Sequence, residues 1–93
     1  MSDLRKKLQT EIEECDWNLL DKNLERGAVI LVESSLDLVD VGVAIAEDQT
    51  QTVANWLNDR KLLNISMEDA ETYKDSKFQF LIIQPYVLVQ TIN

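Results

Sequence analysis

The sequence predicts an α+β domain, a small and mainly antiparallel three-stranded sheet (28–33, 38–47, 78–90) with helices (3–15, 16–25, 50–60, 67–75) packed on it. Three observations carry this. "AVILVE" (28–33) is a short apolar run rich in β-branched residues, the composition of a buried strand. "FQFLIIQPYVLVQ" (78–90) is a longer one. Between and before them, apolar residues recur at helical spacing with polar residues on the other side. The 93 residues make one domain, 1–93, whose size supports one modest core.

Taken in order, Ser2 or Asp3 caps a first helix whose Leu4, Leu8, Ile12 and Cys15 fall on one face. Its basic residues precede its acidic ones, Glu11, Glu13 and Glu14, so both groups oppose the helix dipole and the helix depends on packing. Asp16 opens a second helix with Trp17, Leu20 and Leu24 on a face, Arg26 near the last carbonyls and Gly27 at the left-handed closing position. "SSLD" suits a hairpin loop. "LVDVGVAIAED" (38–48) reads two ways. As a strand it places Val39, Val41, Val43 and Ile45 on one face; as a helix it places Asp37, Asp40, Ala44 and Glu47 together. The β-branched residues and Gly42 favour the strand, and the helix stays open as the alternative. Read as a strand, Gly42, Ala44 and Ala46 mark a close approach of a helix to the sheet. Asp48 or Thr50 caps the helix 50–60, with Val53, Trp56 and Leu57 on its face. Ser66 and Asp69 have capping-box spacing before the helix 67–75.

The net charge of −8, from 17 acidic and 9 basic residues, argues against nucleic acid and anionic lipid. Residues 28–59 carry Glu33, Asp37, Asp40, Glu47, Asp48 and Asp59 and no base. A single cysteine, Cys15, excludes an intramolecular disulfide. The first residues lack the apolar stretch of a signal peptide, and no run reaches the roughly 20 apolar residues of a membrane span. These features point to the cytoplasm.

The chain has no histidine. That removes the commonest general base and metal ligand, and with it Ser–His–Asp and Cys–His chemistry. Gly27 and Gly42 stand alone, so no glycine-rich phosphate loop exists. The carboxylates of 37–48 lack metal-ligand spacing. No catalytic, cofactor or metal residue is assigned. The polar constellation worth testing is Arg26, Asp40 and Tyr86, because a carboxylate on a strand face needs a partner and a guanidinium holds one through two hydrogen bonds. The stretch "AEDQTQTVANWLNDRKLL" (46–63) has the look of a second helix of a helix-turn-helix, with Gln49, Thr50, Gln51, Thr52, Asn55 and Arg60 placed to read bases, yet Glu47, Asp48 and Asp59 surround them. Pro85 interrupts the last strand. Proline belongs at an edge or bulge, and both faces of 78–90 are apolar. The expectation is that Pro85 divides the strand, the second part meeting another copy through Trp17, Pro85, Tyr86 and Leu88.

The stretches "RGAVILVESSLDLVDVGVAIAEDQTQTVANWL" and "FQFLIIQPYVLVQ" resemble the small uncharacterised bacterial proteins catalogued as domain of unknown function 2288. Arg26-Gly27-Ala28, the run Leu36 to Val43, Trp56 and Gln84-Pro85-Tyr86 carry the resemblance most specifically. It implies a bacterial origin and a shared fold, and no mechanism. It also implies Pro-His shortly before the Arg-Gly, where this chain has Lys22 and Asn23. The reading that follows is an acidic binding or regulatory module acting through protein–protein contact as a homodimer, without cofactor, and leaning away from catalysis. The runner-up is a small-molecule- or metal-binding enzyme subunit using Arg26, Asp40 and Tyr86, and the next an atypical helix-turn-helix adaptor for DNA.

Overall fold

The computed structural model describes residues 3–92. In chain order come α1 (Asp3–Glu11), β1 (Glu13–Asp16), a 3-10 turn (Trp17–Leu20) entering α2 (Asp21–Glu25), β2 (Val29–Val32), α3 (Leu38–Ala46), α4 (Thr50–Asn58), β3 (Leu62–Asn64), a second 3-10 turn (Met67–Asp69) entering α5 (Ala70–Tyr73), and the hairpin β4 (Lys77–Ile83) and β5 (Tyr86–Ile92). The α+β class is as expected. The sheet is five-stranded and mixed, in the order β1-β4-β5-β2-β3, with β2 parallel to β5 and the other neighbours antiparallel.

The segment Leu38–Ala46 is helical, which corrects the strand reading of 38–47. The side chain of Asp37 accepts hydrogen bonds from Val39 N at 2.8 Å and Asp40 N at 3.3 Å. Asp37 therefore opens a helix rather than ending a hairpin loop. α3 then buries Leu38, Val39, Val41, Gly42 and Ala44, an apolar face whose burial outweighs the modest helix propensity of valine. The expected close approach exists at Gly42 with the roles exchanged, because the small residues lie on the helix; Ala44 is buried as well, whereas Ala46 is exposed. A Cβ added to Gly42 would stand 2.8 Å from Leu81 Cδ2 and 3.2 Å from Leu8 Cδ1.

The helix expected over 3–15 stops at Glu11, and Glu13–Asp16 pairs with β4, setting Cys15 opposite Phe78. Acidic residues clustered at a helix C-terminus oppose its dipole, and Cys15 gains a buried site by leaving the helix. Ser2, the other capping candidate, lies outside the described residues. The helix 16–25 is a 3-10 turn followed by α2, and 67–75 is likewise a 3-10 turn followed by α5. The Ser66–Asp69 capping box forms as expected. The strand expected over 78–90 is a hairpin. Gln84 and Pro85, joined by a cis peptide bond, make its turn, so the proline sits where no ladder donor is needed. β3, only three residues long, was not anticipated.

Side-chain alternation explains why the last run is apolar on both faces. Leu81 and Leu88 face α1 and α3, in a core with Leu8, Val41 and Leu62. Phe78, Val87 and Val89 face the opposite layer, in a core with Trp17, Leu20, Leu24 and Ile65. Both faces are covered within one chain, and β5 is flanked by β4 and β2. One polar side chain is buried there. Gln90 accepts from Gln79 Nε2 at 2.7 Å and donates to the carbonyls of Glu33 (3.0 Å) and Leu36 (2.7 Å), tying the β2–α3 loop to the sheet.

Candidate functional site

Three helix ends close with the same paired bonds, and they shape the surface. Gly27 N and Ala28 N donate to Leu24 O and Asn23 O; Asp48 N and Gln49 N to Ile45 O and Ala44 O; Arg60 N and Lys61 N to Leu57 O and Trp56 O. Each closure needs a residue in the left-handed region. Gly27 (φ 68°), Asp48 (φ 55°) and Arg60 (φ 60°) supply it. The first closure turns the chain from α2 into β2. The second folds α4 back on α3, and the third sends the chain into β3.

Between α3, α4 and the sheet lies an open groove of about 320 Å³. Its floor is Ile30 and Leu62, its sides are Ala44 and Ile45 of α3 and Val53, Ala54 and Leu57 of α4, and its mouth holds Asp48, Gln49, Thr50 and Tyr86. The walls are mostly apolar. α4 contains no buried residue, and Leu57 is half exposed. Helices of globular proteins ordinarily bury an apolar stripe; here Val53 and Trp56 do so in part, while Ala54 and Leu57 remain open.

A second cavity of about 250 Å³ adjoins the first. Arg26, Gly27, Ala28, Gln84, Pro85 and Tyr86 line it, and Tyr86 is a wall of both. The two tripeptides that carry the family resemblance, separated along the chain, thus meet at one place. They meet because β2 and β5 are parallel neighbours in which Val29 is paired with Val87, which brings the end of α2 beside the hairpin turn.

The predicted polar constellation is only partly assembled. Arg26 and Tyr86 share the second cavity, and Asp40 lines neither. Asp40 lies exposed on α3 and forms an ion pair with Arg5 of α1, while Arg26 donates to Asn23 Oδ1 at 2.7 Å. A helical position turns Asp40 to solvent, where it needs no second guanidinium. Of the predicted interface residues, Pro85 and Tyr86 are exposed at the hairpin tip. Trp17 is 4% exposed, packed with Tyr73 and Phe78, and Leu88 is fully buried. Neither presents surface to a partner, which corrects that half of the expectation.

Helicity of 38–46 brings α3 and α4 together as consecutive helices, one requirement of the helix-turn-helix reading. Of the base-reading positions, Gln49, Thr50, Gln51, Asn55 and Arg60 are exposed and Thr52 is half-buried, but Glu47, Asp48 and Asp59 flank them with charge that repels phosphate. Among the described residues no three acidic or thiol side chains gather as a metal site would require. Cys15 is buried beside Asp16, and burial first, then that carboxylate, push its thiol up to about 11, so it is not a poised nucleophile. No described helix is long and apolar enough to cross a membrane.

The groove walls themselves were missed in the sequence. The signal was on α4, where Val53, Ala54, Trp56 and Leu57 make an apolar arc wider than a single packed stripe.

A family model described as "Protein of unknown function (DUF2288)" matches residues 3–91. Among solved structures, the chain is similar to the NMR solution structure of PA1075 from Pseudomonas aeruginosa, at 30% identity and a TM-score of 0.84, with all of this chain and 88% of that one covered. No curated protein matches the chain.

Proposed function

The chain belongs to the DUF2288 family of proteins of unknown function, and on the geometry of its surface we propose that it is a binding module which docks a partner protein in the groove between α3, α4 and Tyr86. One observation carries the reading. α4 buries none of its residues, and its open apolar side chains line a groove. A helix in that condition supports protein contact, because clustered exposed apolar surface beside polar rims marks interaction sites. Catalysis is not favoured, since Arg26, Asp40 and Tyr86 do not converge and the chain holds no histidine.

A homodimer is the second reading, and Pro85 with Tyr86 favours it. They remain exposed while Val87 to Gln90 are buried, so the hairpin tip is the part of 84–90 that can reach another copy. Both readings place the protein in solution, with the cytoplasm as the compartment that the cysteine and charge content favour.

The test compares native protein with Leu57→Ser and Ile82→Ser in affinity capture from extract of the source organism, alongside light scattering over a wide dilution series. Ile82 is 49% exposed but lies on the opposite face of the sheet. The expected result is a partner retained by native and Ile82→Ser protein and lost by Leu57→Ser. Retention by all three forms would refute the groove. A mass that falls on dilution only in the native and Ile82→Ser proteins would identify the partner as a second copy.

A further inference from the structure

Arg26 is, among the described residues, the only basic one lining either cavity. Among the described residues it has no carboxylate at ion-pair distance, although acids outnumber bases 17 to 9 in the chain. Its Nη2 donates to Asn23 Oδ1 at 2.7 Å in an exposed pair, and a guanidinium has further donors to offer. The backbone N–H groups of Gly27 and Ala28 are already used in closing α2. An anion entering this cavity is therefore met by side chains, Arg26 with the amide of Gln84. On the far side of Tyr86 the surroundings are mostly apolar, with Ile30, Ala54 and Leu57, and Asp48 at the mouth adds a carboxylate that keeps a ligand's charge at the Arg26 end. A ligand lying across Tyr86 has an apolar body at one end and a negative charge at the other.

We infer that the groove receives the C-terminal end of a partner protein, with its last apolar side chains against Val53, Ala54 and Leu57 and its terminal carboxylate on Arg26. The inference rests on the groove being the docking surface and names what fills it. Charge complementarity selects this occupant. A lone guanidinium suits a single carboxylate, which it holds through paired hydrogen bonds. A dianionic phosphate meets the field of a chain of net charge −8 more strongly than a monoanion does. A second copy of this chain adds the same net charge again. A protein's last residue supplies one carboxylate directly beside its side chain, and here side chains take the place of the backbone N–H nest by which other chain-end sites hold that group.

The experiment titrates the native protein with acetylated peptides ending in Leu, Phe or Val, each as free acid and as carboxamide, and follows backbone amide resonances. Sodium decanoate is a separate arm. Free acids are expected to move Ala28, Ala54, Leu57 and Tyr86 and to bind about tenfold tighter than their carboxamides, the usual scale of one charge-assisted contact. Arg26→Gln is expected to erase that difference while leaving the weaker apolar binding, and Leu57→Ser to weaken both forms. Equal binding of acid and carboxamide to the native protein would overturn the role of Arg26 and leave the groove standing. Failure of every peptide to move these amides would overturn the chain-end reading, while the groove itself stands or falls with partner capture by native and Leu57→Ser protein. Movement by decanoate alone would reassign the site to free amphipathic acids and overturn the chain-end reading.

Discussion

Arg60 shows how one backbone angle decides a helix end. At φ 60° it closes α4, with its own N–H on Leu57 O and that of Lys61 on Trp56 O. The left-handed region costs a residue with a Cβ roughly 1–2 kcal/mol, and glycine much less. Arg60→Gly should therefore raise stability by roughly 0.5–1 kcal/mol, part of the relief being lost to the greater freedom of glycine in the unfolded chain. Chemical denaturation checks this, and a lowered midpoint would refute it. Cys15 gives a pH prediction at the same scale. Its folded thiol titrates at about 11 against an ordinary 9.0. The neutral thiol is favoured in the fold, so this contribution is fully present below pH 9 and is lost as pH rises from 9 towards 11. Native protein should lose more stability across that window than Cys15→Ala, and parallel loss would count against it.

At the scale of elements, what could be read from the sequence was whatever carried its own local signal. Gly27 announces the end of α2, Ser66 and Asp69 announce a capping box, and the apolar runs announce β2 and the last hairpin. α3 was missed because its signals conflict. Val39, Val41, Val43 and Ile45 alternate as in a strand, and its end is closed by Asp48 where a glycine would have been recognisable. The deciding feature was Asp37, one residue before the run. β3 and β1 are short pairings created by their neighbours, with no pattern of their own. The same misreading hid the groove, since Ala44 and Ile45 become walls only on a helix, and it gave Asp40 a partner it does not use. If Asp37 holds α3 open at its start, Asp37→Ala should cost about 1 kcal/mol, and Asp37→Asn, which keeps an acceptor oxygen, should cost less. Thermal denaturation of the two variants compares them. Equal losses would mean that charge near the helix dipole matters more than the cap.

Across the whole molecule, the chain is held together by one strand. β5 joins β4 on one side and β2 on the other, so it links the pair β1-β4 to the pair β2-β3. Leu88 and Val89 are fully buried, one in each core. Removal of residues beyond Gln84 therefore takes away the contact between the two halves of the sheet and the middle of both cores. Truncating even one such leucine to alanine costs about 2–5 kcal/mol, against a total stability of about 5–15 kcal/mol for a domain. A chain cut after Gln84 should thus be unfolded, with collapsed amide dispersion and no cooperative thermal transition. It follows that loss of self-association on this truncation would report unfolding and say nothing about an interface. Leu57→Ser, at a half-exposed position, leaves both cores intact and is the variant that separates assembly from folding. A truncated chain that kept a dispersed spectrum and a cooperative transition would show that the two halves hold together without β5, and the central role of that strand would fall.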